Sequence, residues 1–321
     1  MLTQLIRFEW RMLAADKTLF AVAAVLGVAI GYGAVNGARW VKFQARTIQA
    51  AQEEEKARLA AIKADIPKID AGEKKVAPFL DPRLPQAVGR TVGLRYAVMP
   101  PGPLGALAVG QSDLYPYYFQ VSTNSKSTFL NSDEIENPVH LLAGRFDLAF
   151  VILYLFPLVI LAFSYNIVSA EKEAGTLGLA LSQPVLLSSI VTAKIGLRAL
   201  VVFSLAIGLP AMGAILGGAD LSADGALPRL ALWIGLTAAY GAFWFALAVL
   251  VNAFGRSSAT NAMALAAVWL GFVVLIPAIL NVGVKAAYPV PSRVDLIQAI
   301  RVAGDEATRQ SSTRRWFWLA Y

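Results

Sequence analysis

The sequence predicts an all-α protein that crosses a membrane several times and carries a mixed α/β insertion outside it. Of its 321 residues, 57% are hydrophobic and only 15% are charged, whereas soluble domains are about half apolar and about a quarter charged. Five apolar runs are each long enough to cross a bilayer. About 100 more polar residues separate the first run from the second. These observations define a polytopic membrane protein.

The chain opens on an amphipathic segment, residues 1–17, which predicts a helix lying in the membrane interface. One face of this helix is apolar and contains Leu2, Leu5, Ile6, Trp10 and Leu13. The rest is assigned to the charged residues, which are Arg7, Glu9, Arg11 and Lys17. The first span follows at 18–40 and ends on the anchors Arg39 and Trp40. Its many glycines and alanines favour close packing against a neighbouring helix.

Residues 41–145 form a predicted extracytoplasmic domain, long enough for a small core of its own. Its start, "TIQAAQEEEKARLAAIKADIPKID", indicates that the first helix continues outward and ends before Pro67. The run from Glu53 to Arg58 is interpreted as a solvated face of this helix, with an outer partner as the alternative. An aromatic cluster comes later and is expected in the core of the domain or at the membrane surface, with stacking on a ligand as the alternative: Tyr115, Tyr117, Tyr118 and Phe119.

The segment 146–282 contains four further predicted spans, at 146–168, 188–216, 230–251 and 259–282. Gly208 and Pro210 are expected to kink the third of the five spans. Asn261, Asn281 and Tyr240 are polar candidates for a substrate path, although hydrogen bonding between helices explains them as well. The tail, 283–321, is predicted to be extracytoplasmic. It ends on "RRWFWLAY", which resembles the beginning of a sixth span that we expect to follow.

Charges in the short loops predict the orientation through the positive-inside rule. The N-terminal segment carries several basic residues, and the 252–258 hairpin carries Arg256 and no acidic residue. The 217–228 turn, by contrast, carries Asp220 and Asp224 and no basic residue. The N terminus, the 169–187 loop and the 252–258 hairpin are therefore expected in the cytoplasm. The formal net charge of +7 is scattered around the spans, which favours membrane anchoring over nucleic-acid binding.

Several kinds of catalytic site are excluded by composition. There are no cysteines and a single histidine, His140, so thiolate zinc sites, cysteine catalysis and the HExxH zinc motif cannot occur. The lone histidine is expected to be a surface residue rather than a metal ligand or pH sensor. An intramembrane protease or acyl transferase would need paired aspartates, a Ser/His pair or a metal triad in the spans, and none is evident. We therefore expect no catalytic, cofactor-binding or metal-binding residues in this chain.

The stretch "IVSAEKEAGTLGLALSQP", residues 167–184, is the most informative loop. Glu171 and Glu173 are expected at the water boundary, solvated and accessible to a partner. Gly175 lets the backbone turn without a Cβ penalty, and Thr176 is predicted to cap the next short helix. That helix is unusually apolar for a water-facing surface and ends before Pro184. The alternative is an ordinary interfacial loop whose charges mark the edge of the membrane.

"AEKEAGTLGLALSQP" resembles the E-(R/K)-E-x-G-T…P signature of ABC-2 type (type V) ABC transporter permeases. In that family, the segment between spans two and three is the coupling helix, which docks on the ATP-binding subunit. The resemblance implies such a contact at 169–184, through Glu171, Lys172, Glu173, Gly175, Thr176, Leu177 and Pro184. The amphipathic helix resembles the family's elbow helix. "NPVHLLAGRFDLAFVILYLFPLVILAFSY" and "LAVGQSDLYPYYF" are similar to a bacterial subgroup with a large extracytoplasmic insertion.

The resemblance implies a non-catalytic subunit, in the bacterial cytoplasmic (inner) membrane, that moves a substrate outward. Its partners would be an ABC ATP-binding subunit, a second copy or a homologous permease, and the lipid bilayer. No phosphate-binding loop of the form GxxxxGK[ST] occurs in the chain, so ATP and Mg²⁺ are expected on the partner. The alternative is a mechanotransmission protein, in which the same ATPase drives the insertion to act on an envelope partner.

Arg145 and Asp147 flank the start of the second span. One interpretation makes them an outer gate of the transport path. The other has Asp147 stabilise the helix N-terminus through the macrodipole, with Arg145 anchored among headgroups.

Overall fold

The computed structural model describes residues 2–110, 112, 116–123, 144–183, 186–216, 221–255, 257–289 and 292–319. The chain forms two units, Met1–Ala267 and Val268–Tyr321. The predictions for Tyr115, His140, Pro184, Asp220 and Arg256 lie outside the described residues.

Five helices in the described part of the chain are long and apolar enough to cross a membrane, as predicted. They are Lys17–Asp70, Leu148–Glu173, Leu187–Ala214, Ala226–Phe254 and Ser258–Ala287. The second is the most enclosed, since 56% of its apolar window is buried against 17% for the first. The protein is therefore an all-α polytopic membrane protein in which the second span is the central helix of the first unit.

The amphipathic segment forms the helix Leu2–Ala15. Asp16 then caps the first span, its Oδ1 accepting from the backbone N–H groups of Thr18 and Leu19 at 2.9 and 3.2 Å. This span is one helix of 54 residues, Lys17–Asp70. The prediction that the helix ends before Pro67 is wrong. A proline removes one backbone hydrogen bond, and here that loss falls in the last turn, where the helix is about to end.

The insertion packs a small two-stranded antiparallel sheet on the long helix. Strand β1 (Arg95–Val98) pairs with β2 (Tyr118–Val121), and short helical segments lie at Pro78–Leu80, Pro85–Ala87, Val88–Val92 and Gly105–Leu107. The core consists of Trp40, Ile48, Val109 and Tyr117, which confirms a core role for one member of the aromatic cluster. Glu55 is buried rather than solvated, because it accepts from the Tyr96 N–H at 2.7 Å.

Close packing of the first helix depends on two glycines, as its composition predicts. A Cβ on Gly33 would come within 2.9 Å of the Asp147 backbone, and one on Gly37 would overlap the Ala106 carbonyl oxygen. The first helix thus contacts both the insertion and the start of the second span at backbone distance.

Three of the spans contain a π-helical turn that ends two residues before a proline. These turns are Val151–Leu155, Ser204–Gly208 and Leu270–Leu275, and Pro157, Pro210 and Pro277 follow them. A proline cannot donate to the carbonyl four residues earlier and clashes with it, so a wider turn relieves the strain. For Pro157 that carbonyl belongs to Leu153, and the Tyr240 hydroxyl donates to it at 2.9 Å. Tyr240 therefore joins the second and fourth spans.

The remaining elements are also helical. The second span is completed by the helices Leu148–Phe150, Phe156–Ser164 and Ser169–Glu173, and the short helix Thr176–Leu181 follows it. The third span comprises Leu187–Phe203 and Leu209–Leu216, and the fourth is Ala226–Phe254. The fifth begins with Ser258–Trp269. In the second unit, Ile276–Ala287, where Asn281 is exposed, precedes a long helix, Arg293–Leu319.

Candidate coupling site

The loop between the second and third spans has the predicted turn followed by a helix. Gly175 has φ of +69°, the left-handed conformation that favours glycine, and the helix Thr176–Leu181 starts directly after it. Thr176 does not cap this helix as predicted. It is the first helical residue, and its hydroxyl donates back to the Glu171 carbonyl at 3.4 Å, so the loop is closed on itself.

Glu171 is only partly solvated, contrary to the expectation, because it forms an ion pair with a buried lysine. Its Oε1 lies 2.7 Å from Nζ of Lys194, which stands two turns into the third span and is only 4% exposed. The same ammonium group donates to the Ile167 carbonyl at 3.2 Å. A buried lysine is stable only when its charge is paired and its donors are used. Lys194 therefore fixes the loop against the third span.

A second carboxylate reaches this lysine from the amphipathic helix. Glu9 Oε1 lies 3.8 Å from Lys194 Nζ, and Glu9 is 8% exposed. Its assignment to the polar part of that helix is wrong. Glu9 is four residues from both Leu5 and Leu13, so it shares their face. Burial raises the pKa of Glu9 above its usual value, and Lys194 partly offsets this rise.

Arg198 adds a second, half-buried cation one turn further along the third span. Its guanidinium donates to the Phe163 carbonyl and, at 3.3 Å, to the Asn166 side-chain oxygen, both on the second span. We name Glu9, Glu171, Lys194 and Arg198 the charge cluster. The cluster joins three elements, namely the amphipathic helix, the end of the second span and the third span.

Glu173 is exposed but also bonded within the chain. Its two oxygens accept from the backbone N–H and the hydroxyl of Ser258, at 2.6 and 2.8 Å. Ser258 is the first residue of the fifth span, and a carboxylate is favourable at a helix N-terminus because it accepts from unpaired N–H groups there. The two glutamates of the motif therefore attach one loop to two different spans.

Asparagines hold the fourth and fifth spans to the end of the second. Asn252 Nδ2 donates to the Ser164 carbonyl at 2.9 Å, and Asn261 Nδ2 donates to the Tyr165 carbonyl and to Asn252 Oδ1, both at 3.2 Å. Both asparagines are buried, so Asn261 serves contacts between helices in this structure. Gly255 lies so close to Asn261 that a Cβ on the glycine would overlap the asparagine Oδ1.

The short helix itself faces outward with apolar side chains. Leu179 is 71% exposed and Leu181 is 43% exposed, whereas Leu177 is half-buried. Lys172 is also exposed. The site therefore has a firmly held base and an apolar outer surface, which we name the leucine surface (Leu179 and Leu181).

At the opposite end of the second span, Asp147 is 1% exposed and is the N-terminal cap of the helix. Its Oδ1 accepts from the Phe150 N–H at 2.8 Å, as the macrodipole interpretation requires. Its Oδ2 also accepts from the N–H groups of Val109 and Gly110, at 2.8 and 2.9 Å. Asp147 thus clamps the insertion to the second span, and Arg145 lies over the Trp40 ring at 4.0 Å.

A model of the family described as "ABC-2 family transporter protein" matches residues 4–316, which is nearly the whole chain. The chain belongs to the ABC-2 transporter family. No curated protein gave a significant match. An ABC-2 family protein is the membrane permease component of an ABC transporter, a non-catalytic kind of subunit that generally works with an ATP-binding subunit.

The residues of this ABC-2 protein that sequence reasoning missed are Lys194, Arg198 and Asn252. A signal was present for the first two. Lys194 and Arg198 are four residues apart in an otherwise apolar helix, and basic residues within a span are costly unless they face protein partners.

Proposed function

We propose that this protein is the permease of an ABC exporter and that an ATP-binding subunit docks on the loop 169–184. The observation that carries the proposal is the leucine surface, an exposed apolar surface next to a loop segment that an ion pair and hydrogen bonds attach to the third and fifth spans. In the proposed orientation, the N terminus and this loop lie on the cytoplasmic side of a bacterial inner membrane. The insertion then lies outside.

The contacts of the loop support a role in force transmission. Glu171 links it to the third span and to the amphipathic helix through Lys194, while Glu173 links it to the fifth span. A push on the short helix is therefore carried to several spans together rather than absorbed by a soft loop. Two such permeases would work with two ATPases, and ATP-driven closure of the ATPases would move the spans.

The experiment must separate docking from integrity of the loop. Reversing the charge of Glu171 or Glu173 would break intramolecular contacts, so it does not test docking cleanly. Leu179→Asp removes an exposed apolar side chain and leaves these contacts intact. The matched control is Phe79→Asp, because Phe79 is 67% exposed and lies in the insertion, on the short helix Pro78–Leu80.

We expect tagged wild type and Phe79→Asp to co-purify with an ABC ATPase in mild detergent, identified by mass spectrometry. Leu179→Asp should lose at least nine-tenths of the bound ATPase while it remains monodisperse. Equal ATPase recovery with both variants would refute docking on the leucine surface. No ATPase with wild type would refute the wider proposal.

A second candidate function is mechanotransmission to an envelope partner. It is favoured by the first helix, which runs 54 residues without a break from the membrane into the insertion, and by the Asp147 clamp. In this case, ATP would drive movement of the insertion with no substrate transported. ATP-dependent uptake of candidate substrates into inverted proteoliposomes containing permease and ATPase would favour export. ATP-dependent change in protease accessibility of the insertion, without transport, would favour mechanotransmission.

A further inference from the structure

A cavity of about 360 Å³ lies where the first helix leaves its apolar segment, at the insertion end of the membrane. Its walls are Asn36, Arg39, Trp40, Phe43 and Arg145. The first four recur at helical spacing and so share one face of the first helix, while Arg145 comes from the segment before the second span. Two guanidinium groups therefore line one cavity with two aromatic rings, and none of its described lining residues is acidic.

The walls of this cavity are held in place by the packing of the insertion. Trp40 belongs to the insertion core and is 8% exposed. The Arg145 guanidinium lies over its ring, and the Asn36 amide donates to the Phe146 carbonyl at 2.8 Å. A guanidinium that lies over a ring carries its N–H donors on its edge, in a planar fork that matches a phosphate. Arg145 is thus held against the Trp40 ring at one side of the cavity.

The position of the cavity relative to the membrane limits which kinds of ligand can reach it. The apolar run of the first span ends at Val35, and the next two turns contain the lining residues. Arginine and tryptophan at this position lie at the level of the lipid headgroups. Phosphate is the anion concentrated there.

We propose that this cavity binds a phosphate group, supplied by the headgroup of an anionic phospholipid or by a small phosphorylated molecule. Arg39 and Arg145 would contact the phosphate oxygens, and the exposed Phe43 ring would contact the adjoining apolar part of the ligand. The proposal does not depend on the ATPase or on the direction of transport.

The test uses the full chain purified in dodecyl maltoside, with native mass spectrometry to count bound lipid. The probes are dioctanoyl phosphatidylglycerol, dioctanoylglycerol, which lacks the phosphate, and inorganic phosphate. The variants are Arg39→Gln and Arg145→Gln. The matched control is Arg46→Gln, which removes an exposed arginine from the same helix without touching the cavity.

We expect one phosphatidylglycerol per chain, bound at least tenfold more weakly by either cavity variant than by wild type or Arg46→Gln. Dioctanoylglycerol should bind weakly and equally to all four proteins. Arg145→Lys keeps the charge but loses the fork, so its affinity should fall between those of wild type and Arg145→Gln. This variant also guards against loss of folding in the glutamine variant.

Competition distinguishes the two sources of phosphate. If millimolar inorganic phosphate does not displace phosphatidylglycerol, the lipid is the ligand. If it does displace the lipid, the site takes small phosphorylated molecules. Lipid binding that is equal in the cavity variants and Arg46→Gln, or equal for lipids with and without phosphate, would overturn the proposal.

Discussion

Replacing Lys194 by methionine tests the charge cluster most directly. The substitution keeps an unbranched side chain that is one atom shorter, and it removes the charge. Glu171, at 2.7 Å, and Glu9, at 3.8 Å, are then left without their cation, and the side chains of these glutamates are only 25% and 10% exposed. Loss of one partner of a buried ion pair costs about 3–5 kcal/mol. Since Glu171 retains some contact with water, we expect a cost near the lower end, about 3 kcal/mol.

Equilibrium unfolding in mixed dodecyl maltoside–SDS micelles, followed by circular dichroism, measures this cost. Lys172→Met is the control, because Lys172 is an exposed cation in the same loop and its loss should change the unfolding free energy by less than about 0.5 kcal/mol. The double variant Lys194→Met/Glu171→Gln should lose less unfolding free energy than the sum of the losses in the two single variants. The difference should be roughly 0.5–3 kcal/mol. A Lys194→Met cost as small as that of Lys172→Met would refute the charge-cluster argument.

The stability of the Lys194→Met variant should depend on pH. A carboxyl group whose pKa is raised on folding opposes folding above its unfolded value, here 4.5 for Glu9. Stability is therefore regained as the pH falls toward that value. Removing Lys194 removes an influence that lowers the pKa of Glu9, so Lys194→Met should regain more stability between pH 7 and pH 5 than wild type does.

Three further predictions concern single sites. Gly255→Ala should cost about 1–3 kcal/mol because its Cβ would overlap a buried asparagine oxygen on the fifth span. Gly235 has open space around it, so Gly235→Ala should not destabilise the protein. The same micelle unfolding assay compares the two variants. Asp147→Asn should weaken the clamp and speed amide hydrogen exchange at residues 109–110 at least tenfold, and unchanged exchange would contradict the clamp. Hydrogen bonds from Arg83 lower the pKa of Asp81 from 3.8 to about 2, so the stabilising contribution of Asp81 is present above about pH 4 and lost as the pH falls toward 2. Pepsin cleavage within residues 78–92 should rise over that range in wild type, whereas Asp81→Asn should already be cleaved readily at pH 4.

The spans could be predicted from the sequence because each is a long apolar run, a signal that does not depend on distant residues. The structural contacts of Gly33 and Asp147 also follow local rules, namely close packing at small residues and capping of a helix N-terminus. The charge cluster could not be predicted in this way. Its ion pairs join residues 9, 171 and 194, and such pairing is determined by how the helices pack.

Two local errors have different causes. The helix boundary at Pro67 was misplaced because a proline near the end of a helix costs little, so its presence alone does not determine where the helix stops. Glu9 was assigned to the wrong face because its charge was given more weight than its spacing from Leu5 and Leu13. The partner surface at 169–184 and the gate at Arg145 and Asp147 remain predictions.

The π-helical turns before the prolines also affect how the faces of three spans line up. Each wide turn accommodates one residue more than an α-helical turn, and one residue corresponds to about 100° of rotation in a regular helix. A pattern of buried residues that repeats every 3.6 residues before Pro157 is therefore out of phase with the pattern of buried residues after it. The fourth span, Ala226–Phe254, is α-helical throughout and keeps a single phase. Lipid-facing positions in the second, third and fifth spans must accordingly be assigned separately on each side of the proline.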